Sequence, residues 1–220
     1  MSQFLQNIFA TPLLTGTSDN TEICNKICEL AYKFRENATD AGLVSDKWNY
    51  AAKSSSQEDF KKSGVTSFNS GSLVDNSEWA EVVAFIYDFA STMIQSVNGG
   101  NKIPSIINMW TTIYPTGAFV PEHIHSNSLF SGVFYAKTPE NCGNIVFKDL
   151  SSVAKTMYVP NVREFPAVDT MHVHHVKESS MVIFPSWLPH WTQPNESDED
   201  RIMVSFNIDM VNKPEEKNDA

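Results

Sequence analysis

The sequence predicts a mainly β protein of the α+β type: an antiparallel sandwich or barrel preceded by two helices. Three observations carry this. After Gly100, short segments rich in Ile, Val, Phe, Tyr and Trp alternate with turn residues at intervals of about ten residues. No helical run separates them, which favours antiparallel pairing over a parallel α/β sheet. Before Gly100, two stretches instead place their apolar residues at helical spacing.

Residues 1–17, with Phe4, Leu5, Ile8, Phe9 and Leu13-Leu14 around Pro12, predict an extended arm packed on the body. Asp19 and Glu22 have capping-box spacing, and Ile23, Ile27, Leu30, Ala31 and Phe34 form the stripe of a first helix. Residues 53–72, rich in Ser, Gly, Lys and Asn, predict an irregular loop. A second helix is expected over Glu78–Val97. Its stripe is Trp79, Val82, Val83, Ile86, Ala90, Met93, Ile94 and Val97, and Gly99-Gly100 stop it. Candidate strands are Ile106–Tyr114, Ser128–Ala136, Asn144–Phe147, Thr156–Val159, Met181–Phe184 and Ile202–Asp209. The charged stretch 212–220 predicts a tail. The expected organisation is one structural domain: arm and supporting helices over 1–100, β core over 101–211, then the tail.

Composition narrows the function classes. With 220 residues, 41% of them hydrophobic, the chain can bury a sizeable core. No apolar stretch approaches the roughly 18–20 residues of a membrane helix, and the N-terminus lacks a positively charged signal region, so a cytoplasmic location is expected. A formal net charge of −10 with only three arginines, Arg35, Arg163 and Arg201, argues against a nucleic-acid partner. Cys24, Cys28 and Cys142 are expected to be reduced thiols. Part of the acid lies in Glu196-Ser-Asp-Glu-Asp200, which reads as a solvated turn. A homodimer is compatible with the composition.

Five of the six histidines fall in two windows, His123 and His125, then His172, His174 and His175. The sixth is His190. On an extended strand His123 and His125 project from one face. Two imidazoles on one face, completed by a third from a neighbouring strand, leave positions open for substrate and O₂, as suits non-haem iron. His172 and His174 repeat the two-residue spacing but lack an accompanying aromatic frame and Arg, so exposed strand positions or the substrate mouth suit them better.

The order of motifs is more informative than any one of them. Trp110-Thr-Thr-Ile-Tyr114-Pro-Thr-Gly117 precedes Pro121-Glu-His123-Ile-His125, Ser131-Gly-Val-Phe-Tyr135 and Gly143-Asn-Ile-Val-Phe147. Phe184-Pro-Ser-Trp-Leu-Pro-His190 and Arg201-Ile-Met-Val-Ser205-Phe-Asn207 follow. Over residues 106–210 this resembles the 2-oxoglutarate/Fe(II) oxygenase superfamily, particularly its prolyl-hydroxylase-like members. The resemblance implies a double-stranded β-helix of jelly-roll type. It also implies Fe(II) and 2-oxoglutarate as co-substrate, with hydroxylation of an unidentified small-molecule or protein substrate and release of succinate and CO₂. His123 and His190 match the histidine ligands. Tyr114, Tyr135, Arg201 and Ser205 match residues that hold the co-substrate.

One position departs from the superfamily pattern. Where most members carry Asp or Glu, this chain has His125, the best available third ligand. Glu122 would face the other way on a strand, and Asn127 would serve only if the strand ended early. Arg201 offers a rigid fork of donors to a carboxylate, unless it pairs with the acid run before it. Trp187, Trp191 and Asn207 are candidates for the substrate pocket, with the two tryptophans also suited to packing. Two alternatives use the same scaffold: a cupin-like metal enzyme that does not use 2-oxoglutarate, and a non-catalytic jelly-roll binding protein.

Overall fold

The computed structural model describes residues 10–37, 64–68, 70–96, 102–150 and 170–212. In chain order these form β1 (Leu14–Thr17), α1 (Thr21–Asn37), β2 (Val65–Thr66), α2 (Ala80–Gln95), β3 (Lys102–Tyr114) and β4 (Phe130–Lys137). β5 (Ile145–Lys148), β6 (Met171–His174), β7 (Ser180–Pro185), β8 (His190–Thr192) and β9 (Arg201–Asn212) follow. A six-stranded antiparallel sheet of order β1-β7-β4-β9-β3-β2 faces a three-stranded sheet of order β6-β5-β8. The expected double-stranded β-helix is the observed architecture.

Period-two alternation gives the large sheet two apolar faces. Ile202, Val204, Phe206 and Ile208 of β9 pack with Phe134, Met181 and Ile183 against the helices. α1 contributes Ile23, Cys24, Ile27, Leu30 and Ala31, and α2 contributes Val82, Ile86, Ala90, Met93 and Ile94. From the opposite face Tyr114, Val133, Tyr135, Val182, Phe184 and Met203 meet Ile145 and Phe147 of the small sheet. The helices therefore support the sheet from outside and leave its inner face free to build a site.

Several local expectations need correction. Leu14–Thr17, placed in a packed arm, pairs as a strand with β7, and Val65–Thr66, placed in a loop, pairs with β3. The first helix is capped by Asn20, whose Oδ1 accepts from the Ile23 backbone N–H at 3.1 Å, instead of by Asp19. The second helix starts at Ala80, because Ser77–Trp79 form a 3₁₀ turn under the Asn76 side chain. Met171–His174 and His190–Thr192 are strands missing from the expected strand ranges, although their histidines were read as strand positions. The expected strand Thr156–Val159, most of the loop 53–72 and most of the tail lie outside the described residues. All three cysteines are free, and burial raises the Cys28 thiol to about 11. Among the described residues no helix is long and apolar enough to cross a membrane.

The acid run is less solvated than its composition suggests. Asp200 pairs with Arg35 at 2.9 Å, both side chains largely covered, tying the end of α1 to the start of β9. Glu199 pairs with Lys137 at 2.9 Å. These pairs leave Arg201 to turn inward.

Candidate metal and co-substrate site

His123 and His125 do not lie on a strand. They sit in the loop between β3 and β4, held there by backbone bonds. His123 and His190 form an isolated antiparallel bridge, with His123 N donating to His190 O at 2.9 Å and His190 N to His123 O at 3.0 Å. His125 N donates to Ser186 O at 2.9 Å. The result still brings the three rings together. Their ligand-capable atoms all lie within 4.8 Å of one another, and ring centroids are 4.3 Å (His123–His190), 5.1 Å (His125–His190) and 5.2 Å (His123–His125) apart.

Hydrogen bonds prescribe which nitrogens face the centre. His123 Nδ1 lies 2.9 Å from Pro121 O and His190 Nδ1 2.8 Å from Leu188 O. A carbonyl can only accept, so each Nδ1 carries the hydrogen and each Nε2 keeps a bare lone pair. The Asn207 side chain is the polar neighbour of the third ring, His125, and works against the lowering of its pKa. Asn207 Oδ1 also accepts from Ser131 Oγ at 2.8 Å, which joins Ser186 Oγ and through it Ser128 Oγ, both at 2.8 Å. Burial keeps all three imidazoles neutral. It lowers His123 and, together with the neighbouring His123, pushes His125 down to about 4 and His190 down to about 3.

The triad lines a cavity of about 560 Å³ between the two sheets. Tyr114, Tyr135, Ser205 and Asn207 line it too. Arg201 shares the inward face of β9 with Met203, Ser205 and Asn207, and its Cζ stands 4.5 Å from the Tyr114 ring centroid. The guanidinium is 1% exposed. Its Nη1 donates to Cys142 O at 2.6 Å and Gly143 O at 3.2 Å, whereas Nε and Nη2 have no partner. The buried Tyr135 hydroxyl also lacks one. Among the described residues no carboxylate pairs with Arg201, so its expected alternative role as a partner of the acid run is not realised.

Gly143 makes this cradle possible. Its φ is +78°, and a Cβ there would lie 2.5 Å from Pro194 O and 2.6 Å from Gln193 O. Gly143→Ala is expected to cost about 1–3 kcal/mol for the backbone conformation alone, with the carbonyl clash added. Chemical denaturation compared with wild type checks this; an unchanged midpoint would refute it.

Residues 108–207 match the model of a family described as "Putative 2OG-Fe(II) oxygenase". The matched stretch takes in His123, His125, His190 and Arg201. No curated protein matches the chain by sequence. Among solved structures, the chain resembles AviO1 from Streptomyces viridochromogenes Tue57 (TM-score 0.61, 13% identity, 93% of this chain and 91% of that one). A prolyl hydroxylase from Trichoplax adhaerens, solved with a hypoxia inducible factor oxygen degradation domain peptide fragment, gives 0.54 at 13% identity over 89% and 82%. HygX from Streptomyces hygroscopicus, solved with nickel and 2-oxoglutarate, gives 0.54 at 11% over 90% and 83%. At these identities the likenesses establish the fold.

The other expected site residues separate. Glu122 points away from the triad to Lys148, at 3.0 Å. Asn127 lines the cavity, with φ +61°. Trp187 is 49% exposed, and neither it nor Trp191 lines the cavity; His190 and Thr192 take the inward positions of β8, which sends Trp191 to the other face. His172 and His174 lie on β6 at the edge of the small sheet, outside the metal-competent cluster. Sequence reasoning missed Trp110, whose ring stacks on His125 with centroids 5.8 Å apart, and the Ser128–Ser131–Ser186 chain. The position of Trp110 four residues before Tyr114, on the same face of the expected strand, was the available signal for the first.

Proposed function

We propose that the protein is an Fe(II)- and 2-oxoglutarate-dependent dioxygenase that hydroxylates its substrate, with His123, His125 and His190 holding the metal and Arg201 holding the far carboxylate of the co-substrate. The observation that carries this is Arg201: a buried guanidinium with two bare N–H nitrogens and, among the described residues, no carboxylate partner. A buried charge left in that state is costly, and a bidentate carboxylate resolves it. Tyr135, with its free hydroxyl, and Ser205 on the cavity wall supply further donors beside it.

The donor set fits the same ligand pair. Three neutral imidazoles leave the full charge of a divalent ion uncompensated, and Arg201 adds another positive charge. A dianionic 2-oxo acid between them balances most of it. Iron at this triad would supply the activation of O₂ that is coupled to conversion of 2-oxoglutarate to succinate and CO₂. The chain itself fixes the tautomers of His123 and His190 and aims the buried guanidinium. A cupin-like metal enzyme without 2-oxoglutarate would leave the bare nitrogens of Arg201 without a purpose.

An anaerobic optical titration tests the proposal. A visible charge-transfer band that requires both Fe(II) and 2-oxoglutarate is expected; metal binding with no band on adding 2-oxoglutarate would remove the co-substrate from the assignment. Asn207 is proposed to orient His125, where the other two ligands use backbone carbonyls. Asn207→Ala is expected to weaken Zn(II) binding about 10- to 100-fold and to lower the melting temperature of the metal-free protein modestly, because the buried Ser131 hydroxyl loses an acceptor. Competition with a chromophoric chelator measures this, and an unchanged affinity would show that His125 needs no such support.

A further inference from the structure

The cavity opens through a mouth of unusual composition. β3 pairs with β9 residue for residue except between Ile106 and Asn108, where Ile107 is an extra residue. A bulge breaks the alternation of a strand and re-aims its side chains. Here the neighbours Ile107 and Asn108 both line the cavity, together with Trp110. Ile107 is 47% exposed, Ile124 between the two histidines 57%, and Phe68 52%. Phe68 stands edge-on to Trp110 with ring centroids 5.0 Å apart, and Trp110 stacks on His125. An apolar wall thus runs without a break from the metal-competent triad to solvent.

Within that wall one polar atom is unused. Asn108 Oδ1 is buried and has no hydrogen-bond partner, a condition that native structures tolerate rarely and that a ligand donor would relieve. Among the described lining residues none is Asp, Glu, Lys or Arg. Recognition at this mouth therefore rests on apolar contact and hydrogen bonding.

We infer that the mouth is the binding subsite for the oxidised substrate, and that it takes an uncharged hydrophobic group bearing an amide N–H or hydroxyl. Asn108 Oδ1 accepts that hydrogen while Phe68, Ile107 and Ile124 cover the apolar body beside the triad. The inference rests on the oxygenase assignment for which molecule is bound there, but the chemistry of the subsite is independent of the metal.

The probes are N-benzylacetamide, its N-methyl tertiary amide, and benzylammonium. Their binding is measured calorimetrically on protein carrying Zn(II) and 2-oxoglutarate, and again without either. N-benzylacetamide is expected to bind about tenfold more tightly than the N-methyl compound, the worth of one satisfied buried acceptor, and benzylammonium more weakly still. Asn108→Leu should make the two amides equal. Asn108→Asp, which keeps an acceptor oxygen, should preserve the preference for the N–H amide. Phe68→Ser should weaken both amides alike. Equal binding of the two amides by wild type, no binding of either, or tightest binding of benzylammonium overturns the inference. If Zn(II) and 2-oxoglutarate bind but the amides are not distinguished, the subsite is wrong and the oxygenase assignment stands. If the amides are distinguished but metal does not bind, the reverse holds.

Discussion

Arg201→Met is expected to raise the melting temperature of the ligand-free protein and, in the same molecule, to abolish its stabilisation by 2-oxoglutarate. The two effects have one origin. Arg201 is buried beside Tyr114 with no carboxylate among the described residues, and only its Nη1 is satisfied, by the Cys142 and Gly143 carbonyls. Replacing buried ionic groups with apolar side chains of similar volume often stabilises by about 1–4 kcal/mol. The two carbonyls left without a donor reduce that gain at this site. The co-substrate loses a charge-assisted pair, and truncating one partner of such a buried pair costs about 2–5 kcal/mol, roughly 30- to several thousand-fold in affinity. Thermal melts of wild type and variant, with metal and increasing 2-oxoglutarate, separate the two. A variant that melts lower without ligand yet retains the wild-type response to 2-oxoglutarate would remove Arg201 from the site.

His190→Ala should cost at least about 100-fold in metal affinity, more than loss of a supporting residue does. It should also flatten the acid dependence of stability of the metal-free protein. Burial holds His190 at about 3 and His125 at about 4, with His123 also lowered. In the unfolded chain these groups titrate near the ordinary value of about 6.5. The unfolded state therefore binds more protons between those limits. Stability from the neutral rings is fully present above pH 6.5 and is lost as pH falls towards 4 and 3. Removing the ring with the largest depression removes its share of that loss. Melts from pH 4 to 8, with and without Zn(II), report both effects: the variant should lose the metal-induced rise and show the shallower slope. A variant that keeps the metal-induced rise would show that two imidazoles suffice.

Much of the site could be read in advance because its parts lie in compact sequence patterns. The Pro-rich approach to His190 and the four-residue interval from Arg201 to Ser205 place side chains through local geometry, whereas His123 and His125 are held off any strand by backbone bonds to His190 and Ser186. The inward positions of β9 follow from period two once the strand is recognised, and Asn207 follows with them. What could not be read depends on pairing between distant segments. Leu14–Thr17 becomes a strand only because β7 offers an open edge, and Met171–His174 only because β5 does. The two tryptophans beside His190 were candidates because of their proximity in sequence, yet alternation on β8 turns Trp191 away. Bulges are equally silent: nothing in Ile106-Ile-Asn108 announces that its register with β9 shifts there.

The paired backbone bonds between His123 and His190 imply that two of the three ligands are brought together by folding, across 66 intervening positions in the chain. Closing such a loop carries an entropic cost, which grows only slowly with length. Here backbone pairing that does not involve the imidazoles offsets it. A cation entering the triad has little chain left to order, so its binding free energy is available for discrimination between metals instead of for assembling the domain. Stripping it with a chelator should return a folded, reloadable protein, unlike the collapse seen where metal and fold form together.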